Sequence, residues 1–413
     1  MQLSAEDGAV LGELAERGPE IIDRAVAWCA VNSGSRNQAG LQAQLDLLAP
    51  VLAALPGVVE RLPLEPTREI GADGRETALA HPDALRLTVR PDAPVQVTLT
   101  GHYDTVYGAE SRFLSVSPRD DGTLNGPGIA DMKGGISVMI AALDAFERHP
   151  LSGRVGYRVL LSPDEEIGSL ASAPRLAEVA RRAHVGMTYE PALGDGALAS
   201  SRKGSGNFSV VVRGRAAHAG RDFAAGRNAI VAAAQIGGRL DALNGRREGV
   251  TINVAKIEGG GPSNMVPDMA VVRFNVRLPE PDDAAWIERE VAGLLAVGEG
   301  LSAHLHGGFT RPPKPITPAQ AALFAGARGA AALAGVDLQW KPSGGVCEGN
   351  NLFAAGLPNL DTLGVRGGDI HSEAEHAWPD SFAERARLSA AMLCKLADGG
   401  IDGPAIRAMM GKA

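Results

Sequence analysis

A chain of 413 residues with 45% hydrophobic side chains is long enough for two packed units and ordinary in composition for a globular protein. Its formal net charge is -8, and lysine and arginine form no basic stripe, which argues against a nucleic-acid surface. No apolar run reaches the roughly 18 residues that would suggest a membrane helix. The opening MQLSAEDGAV lacks the basic start and apolar core of an export signal, so a cytoplasmic location is expected. The three cysteines, Cys29, Cys347 and Cys394, form no CxxC pair and fit a reducing compartment better than a disulfide scaffold.

From about Glu6 to Leu55 apolar residues recur at helical spacing, through Ile21, Ile22, Ala25, Val26 and Cys29, then through Leu41, Leu45, Leu48 and Val51. The polar stretch Asn32 to Asn37 separates these helices. PVQVTLT, from Pro94 to Thr100, reads as a strand running into GHYDTVYG. A helix, ISVMIAALDAF, follows Asp131 to Gly135. The strand RVGYRVLLS then ends at PDEE, a helix spans about Ala173 to Arg182, and HVGMTYEP is a third strand. This alternation predicts an α/β domain with covering helices. After Gly204 the order becomes strand (FSVVVRG), helix (through Ile236 and Leu240), two strands (TINVAKIEGG and MAVVRFNVRLP) and helix (Asp282 to Leu295). That is a small two-layer unit. Arg311 to Pro315, RPPKP, reads as a hinge, since its prolines restrict φ. Helix and strand patterns resume from Pro318 to Ala397. The expected organisation is a larger domain in two parts, 1–203 and 312–413, with a small domain, 204–311, inserted between them.

Four polar clusters stand at strand ends or beside glycine turns: His102–Asp104, Asp131, Glu165–Glu166 and Glu190. His371 lies far downstream. Buried carboxylates need partners, and one cation satisfies several together. Imidazole and carboxylate donors suit zinc better than magnesium. Residues i and i+2 of a strand point the same way, so Asp104 can accept a hydrogen bond from His102 and fix the ring while the other nitrogen holds a metal. In an extended backbone Glu165 and Glu166 diverge, which leaves one to ligate and the other to handle protons. Asp131, just before a helix, is favoured by the helix dipole and has two oxygens with which to bridge two ions. Each signal alone has a plainer reading. His102 is then a surface or core histidine, Asp131 a helix cap, Glu165–Glu166 a solvated pair, and Glu190 a loop residue. The chemistry lies in the set.

Taken together, these segments resemble the M20 family of metallopeptidases and amidohydrolases, and within it the glutamate carboxypeptidase (carboxypeptidase G2-like) branch. The resemblance rests on GHYDTVYG from Gly101, GPGIADMKGG from Gly126, SPDEEIGS from Ser162, TYEPA from Thr188, GRAAHAG from Gly214, GGGPSNMVPD from Gly259, SGG from Ser343 and IHSEAE from Ile370. It implies a zinc-peptidase-like α/β catalytic domain with a mixed sheet covered by helices, and an inserted α+β two-layer lid or dimerisation domain. It also implies two Zn2+ per chain: His102 and Glu190 at one ion, His371 and Glu166 at the other, Asp131 bridging. Asp104 would orient His102, and Glu165 would be the general base. His218 would reach the partner's active site in a homodimer formed through the inserted domain. Asn264 and Arg277 would bind a substrate carboxylate or stabilise the transition state, and Ser343, Gly344 and Gly345 would line the substrate site.

The implied reaction is release of a C-terminal amino acid, glutamate in the near branch, from a small peptide or N-acyl amino acid. The alternatives are deacylation of an N-acyl amino acid, of the acetylornithine kind, and a non-catalytic relative that kept the fold. One departure from the family pattern is VCEGN after Gly345, where members often carry an aspartate near Glu348. Its neighbour Cys347 reads as structural.

Overall fold

The computed structural model describes residues 1–412. A six-stranded sheet forms the main layer. Its order is Val58–Leu62, Ala84–Val89, Val155–Ser162, Val95–His102, Val185–Thr188 and Asn359–Leu360. The first three strands pair antiparallel and the remainder pair parallel, so the sheet is mixed. Val155–Ser162 is buried along its whole length, as expected for a strand covered on both faces. Helices Ala5–Glu16, Gly18–Cys29, Lys133–Glu147 and Asp380–Asp398 pack together over one face, while Ala173–Arg181 and Glu348–Ala354 pack together elsewhere on the sheet. No described helix is long and apolar enough to cross a membrane.

Helix Lys133–Glu147 is buried on nearly every side, and its first turn fixes the position of the site. A Cβ on Gly135 would lie 2.0 Å from the carbonyl oxygen of Tyr189. Only glycine lets this helix start press against the end of strand Val185–Thr188, which brings Asp131 beside Glu190.

A second, antiparallel sheet has the order Thr251–Gly259, Met269–Leu278, Gly204–Arg213 and Ser302–Arg311. Helices Ala229–Asp241 and Asp282–Leu294 cover one face around Phe208, Val210, Ile236, Phe274, Ile287 and Val291. Strand alternation turns Ser205, Asn207, Asn275 and Arg277 to the opposite face, towards the first unit. The sequence order lacks the strand Ser302–Arg311. Its burial does not alternate cleanly, and its Gly307 sits at φ +93. The two segments that join the units run side by side: Arg202 and Lys314 exchange both main-chain hydrogen bonds, each 2.9 Å.

Candidate metal centre

The site gathers where the parallel strands end. His102 is the last residue of its strand, fully buried, with Nδ1 3.0 Å from the main-chain oxygen of Asp104 and 3.3 Å from its Oδ1. Facing acceptors, Nδ1 carries the hydrogen. The lone pair of a neutral ring is then left on Nε2, which points at Asp131 Oδ1 (3.1 Å) and Glu190 Oε2 (3.7 Å). Electron-rich atoms face one another there, so the pocket calls for a proton or a cation between them. On the far side of Asp131, Oδ2 lies 3.3 Å from His371 Nε2, which is also 3.3 Å from Glu166 Oε2. Asp131 thus gives one oxygen to each imidazole, and the donors form two sets, His102–Asp131–Glu190 and Asp131–Glu166–His371.

Charge supports the same reading. Burial pushes Glu165 up to about 7, with Arg311 pulling it down and Glu190 pushing it further up. Burial, with Asp131 beside it, takes Glu166 up to about 8. Burial also works against ionised Asp131, but His102 and His371 outweigh it and hold this carboxyl below its ordinary range. The hydrogen bonds to Asp131 and Glu166 raise His371 to about 11. Without a metal the cluster must hold protons in the place of cations. Glu190 Oε1 is buried with no hydrogen-bond partner. Imidazoles and carboxylates at these separations fit divalent cations, zinc best.

Surrounding hydrogen bonds hold the donors in place. The Asp104 carboxylate accepts from Ser35 Oγ (2.7 Å) and from the N–H groups of Glu165 and Glu166 (3.1 Å each). This gathering of N–H groups corrects one expectation. The backbone at Glu165–Glu166 is not extended but forms a 3-10 turn, Glu165–Ile167, closed by Gly168 at φ +109. The two carboxylates still part. Glu166 turns to His371, while Glu165 Oε1 accepts from Arg311 Nη2 at 2.7 Å. Arg311 also donates to the Glu165 carbonyl and to Ser169 Oγ, both at 2.7 Å. Glu375 accepts from the N–H groups of Gly128, Ala130 and Asp131 (2.9–3.0 Å) and from the Tyr107 hydroxyl (2.7 Å), and so fixes the loop that presents Asp131.

The cluster opens into a cleft of about 660 Å³ between the two units. Arg277 lines it from the second sheet, with Ser343 and Gly345 opposite, whereas Gly344 lies in a neighbouring depression. His218 and Asn264 are exposed and lie outside this cleft; the Asn264 carbonyl accepts from the Ala219 N–H at 2.9 Å. A single chain therefore does not bring these two to the donors. Glu348 is fully buried behind the site and accepts from Ser162 Oγ, and burial holds its carboxyl well above the usual range. Cys347 is a buried helix cap that accepts from the Gly349 N–H, and burial drives its thiol well up.

Sequence reasoning missed Arg311 and Glu375. The first was read only as part of a hinge, and the second stood unused in IHSEAE. A third group of ligand-type residues, Asp7, His149 and Cys394, gathers elsewhere. There the Leu151 N–H donates to His149 Nδ1, Nε2 lies 3.3 Å from Asp7 Oδ1 without hydrogen-bond geometry, and Lys395 donates to the other oxygen of Asp7. That group is a polar tie between helices, not a ligand set.

The profile of Peptidase family M20/M25/M40 matches residues 98–395. Carboxypeptidase G2 of Pseudomonas sp. (strain RS-16) is 28% identical over 319 residues, 73% of this chain and 74% of that protein. Succinyl-diaminopimelate desuccinylase of Verminephrobacter eiseniae (strain EF01-2) is 28% identical over 352 residues, 80% of this chain and 86% of that one. The crystal structure of human carnosine dipeptidase 1 shares the fold, with a TM-score of 0.74 at 17% identity, over 95% of this chain and all of the other.

Proposed function

Because the chain belongs to peptidase family M20/M25/M40, we propose that it is a di-zinc hydrolase that cleaves the amide bond of N-acyl amino acids. The observation that carries this is the carboxylate of Asp131, one oxygen on each of two histidines that stand far apart in the sequence. His102 and Glu190 would hold one ion, His371 and Glu166 the other. Bound zinc polarises a carbonyl oxygen and makes water a nucleophile near neutral pH.

The chain's own residues supply the rest. Glu165 has its carboxyl raised by burial and is free of both donor sets, so it takes the proton of the attacking water and passes it to the leaving nitrogen. Arg311 keeps Glu165 turned away from the ligands. Arg277 has no acidic partner in the structure and Nη1 buried without an acceptor, which suits it to a substrate carboxylate. His218 and Asn264 would complete the cleft of a second copy in a homodimer built through the inserted unit.

The likeness to several succinyl-diaminopimelate desuccinylases, one of them spanning 80% of the chain against 73% for carboxypeptidase G2, favours deacylation. Release of a C-terminal glutamate is the second reading, and the carboxypeptidase G2 likeness supports it. A panel of N-acetyl and N-succinyl amino acids against X-Glu dipeptides, with and without chelator, tests both. Faster, chelator-sensitive turnover of the N-acyl amino acids is expected. Preference for the dipeptides would overturn the deacylase reading, and chelator-insensitive turnover would overturn the metal.

A further inference from the structure

The lid face of the cleft carries a registered polar ladder across all four strands of the second sheet. Ser205 stands opposite both Arg277 and Arg311, and two residues along, Asn275 stands opposite both Asn207 and Asn253. All six line the cleft. The other arginines of the cleft are neutralised, Arg311 by Glu165 and Arg202 by Asp361. Arg277 alone among the described arginines of the cleft has no ion pair, and its one hydrogen bond runs from Nε to Asn275 Oδ1 at 3.0 Å. The amide of Asn275 has no freedom to turn over. Its Nδ2 faces three acceptors, Ser205 Oγ (3.0 Å), the Gly206 carbonyl (3.1 Å) and Asn207 Oδ1 (2.7 Å), which leaves Oδ1 directed at the arginine.

We propose that Asn275 is the positioning residue that makes the lid selective for a free carboxylate: by accepting from Nε it turns the paired Nη groups of Arg277 into the cleft as a fork. A guanidinium held at Nε presents two parallel N–H donors at its outer edge, the pattern that matches a carboxylate and not a carboxamide. The neutrality of Asn275 matters as much as its geometry. An acidic residue there would hold Nε equally well but cancel the charge that the ligand is to meet. The inference rests on the proposed N-acyl amino acid substrate and adds to it the group that recognises the acid end.

The test compares an N-acyl amino acid with its C-terminal amide in zinc-loaded wild type, Asn275→Leu and Asn275→Asp. Wild type is expected to prefer the acid by about 100-fold in kcat/KM, the range of a charge-assisted hydrogen-bond pair. In Asn275→Leu the preference should fall by about 10-fold through KM, and in Asn275→Asp it should all but vanish. Zinc content and cooperative unfolding equal to wild type show that the variants are folded. An unchanged acid-to-amide ratio in the leucine variant, or a ratio in the aspartate variant above that of leucine, overturns the assignment. If wild type hydrolyses neither compound, the proposed reaction fails instead. Equilibrium binding of the same two compounds to the three proteins then still reads the preference, with the same order required.

Discussion

Asp361→Asn tests whether the junction of the two units is held by charge. Asp361 and Lys314 are fully buried, with Lys314 Nζ on Oδ2 at 2.6 Å and Arg202 Nη2 on Oδ1 at 2.8 Å. Both cations come from the two crossing segments that also pair through their main chains. Burial disfavours ionised Asp361, yet the two cations outweigh it and bring the carboxyl down from 3.8 to about 2. A depressed folded-state pKa stabilises the protein above the unfolded value, and that contribution fades as pH falls from about 4 towards 2. Its size is about 2 kcal/mol.

The substitution costs more than this at neutral pH, because it strands two buried cations. Breaking a buried pair costs about 3–5 kcal/mol, and asparagine, which keeps one acceptor, belongs near 3. With an unfolding entropy of about 2.1 cal/mol/K per residue, the chain has about 0.9 kcal/mol/K, so the melting temperature should drop by about 3–4 °C. Urea unfolding at pH 7 and at steps down to pH 3 measures both effects. Asp361→Asn should lose about 3 kcal/mol at pH 7 and show a correspondingly shallower acid limb. Adding Lys314→Met should recover part of the loss by removing one stranded charge. A variant within about 0.5 kcal/mol of wild type at pH 7, with the acid limb unchanged, would refute the argument.

Three further outcomes follow from the cluster. Glu165→Ala should keep its metal while turnover falls by about 10²–10⁴-fold, the usual share of a general base; metal loss in step with activity would remove Glu165 from that role. Asp131→Ala should deplete both ions on metal analysis, since each histidine shares this carboxylate, and full occupancy would exclude bridging. Glu375→Gln should weaken metal affinity by about 10–100-fold without touching an ion, because a carboxamide cannot accept all the N–H groups that present Asp131. Affinity equal to wild type in a chelator competition would make Glu375 a bystander.

The parts of the fold legible in the sequence are those whose burial is uniform. Val155–Ser162 and Val95–His102 are nearly all buried, and their β-branched and apolar residues read as strands, whereas the close approach at the glycines after Asp131 is visible only in the folded chain. Ser302–Arg311 carries no such signal. It is an edge strand with two adjacent glycines, held by nine residue pairs to Gly204–Arg213 that no local pattern reveals. Val58–Leu62 was passed over for a related reason, being an edge strand with no fully buried residue; Ala84–Val89, an interior strand buried at four of its six residues, was passed over as well.

Four of the five donors could be read in advance because each stands at a strand end or beside a helix start, where topology brings side chains together; His371 sits in a turn far downstream, and no local pattern placed it with them. What holds the donors could not be read in advance. Arg311 meets Glu165 from 146 positions along the chain, and Glu375 reaches Asp131 from 244. Neither has a neighbour in sequence that explains its charge. The same limit separates the two glutamates of the PDEE turn. Their divergence follows from a tight turn gathered by Asp104, with Arg311 waiting for one carboxylate and His371 for the other. Alternation along an extended chain would have given the same outcome for a different reason. A site's ligand types are therefore written locally, whereas which carboxylate ligates and which stays free is decided by partners that only the folded chain supplies.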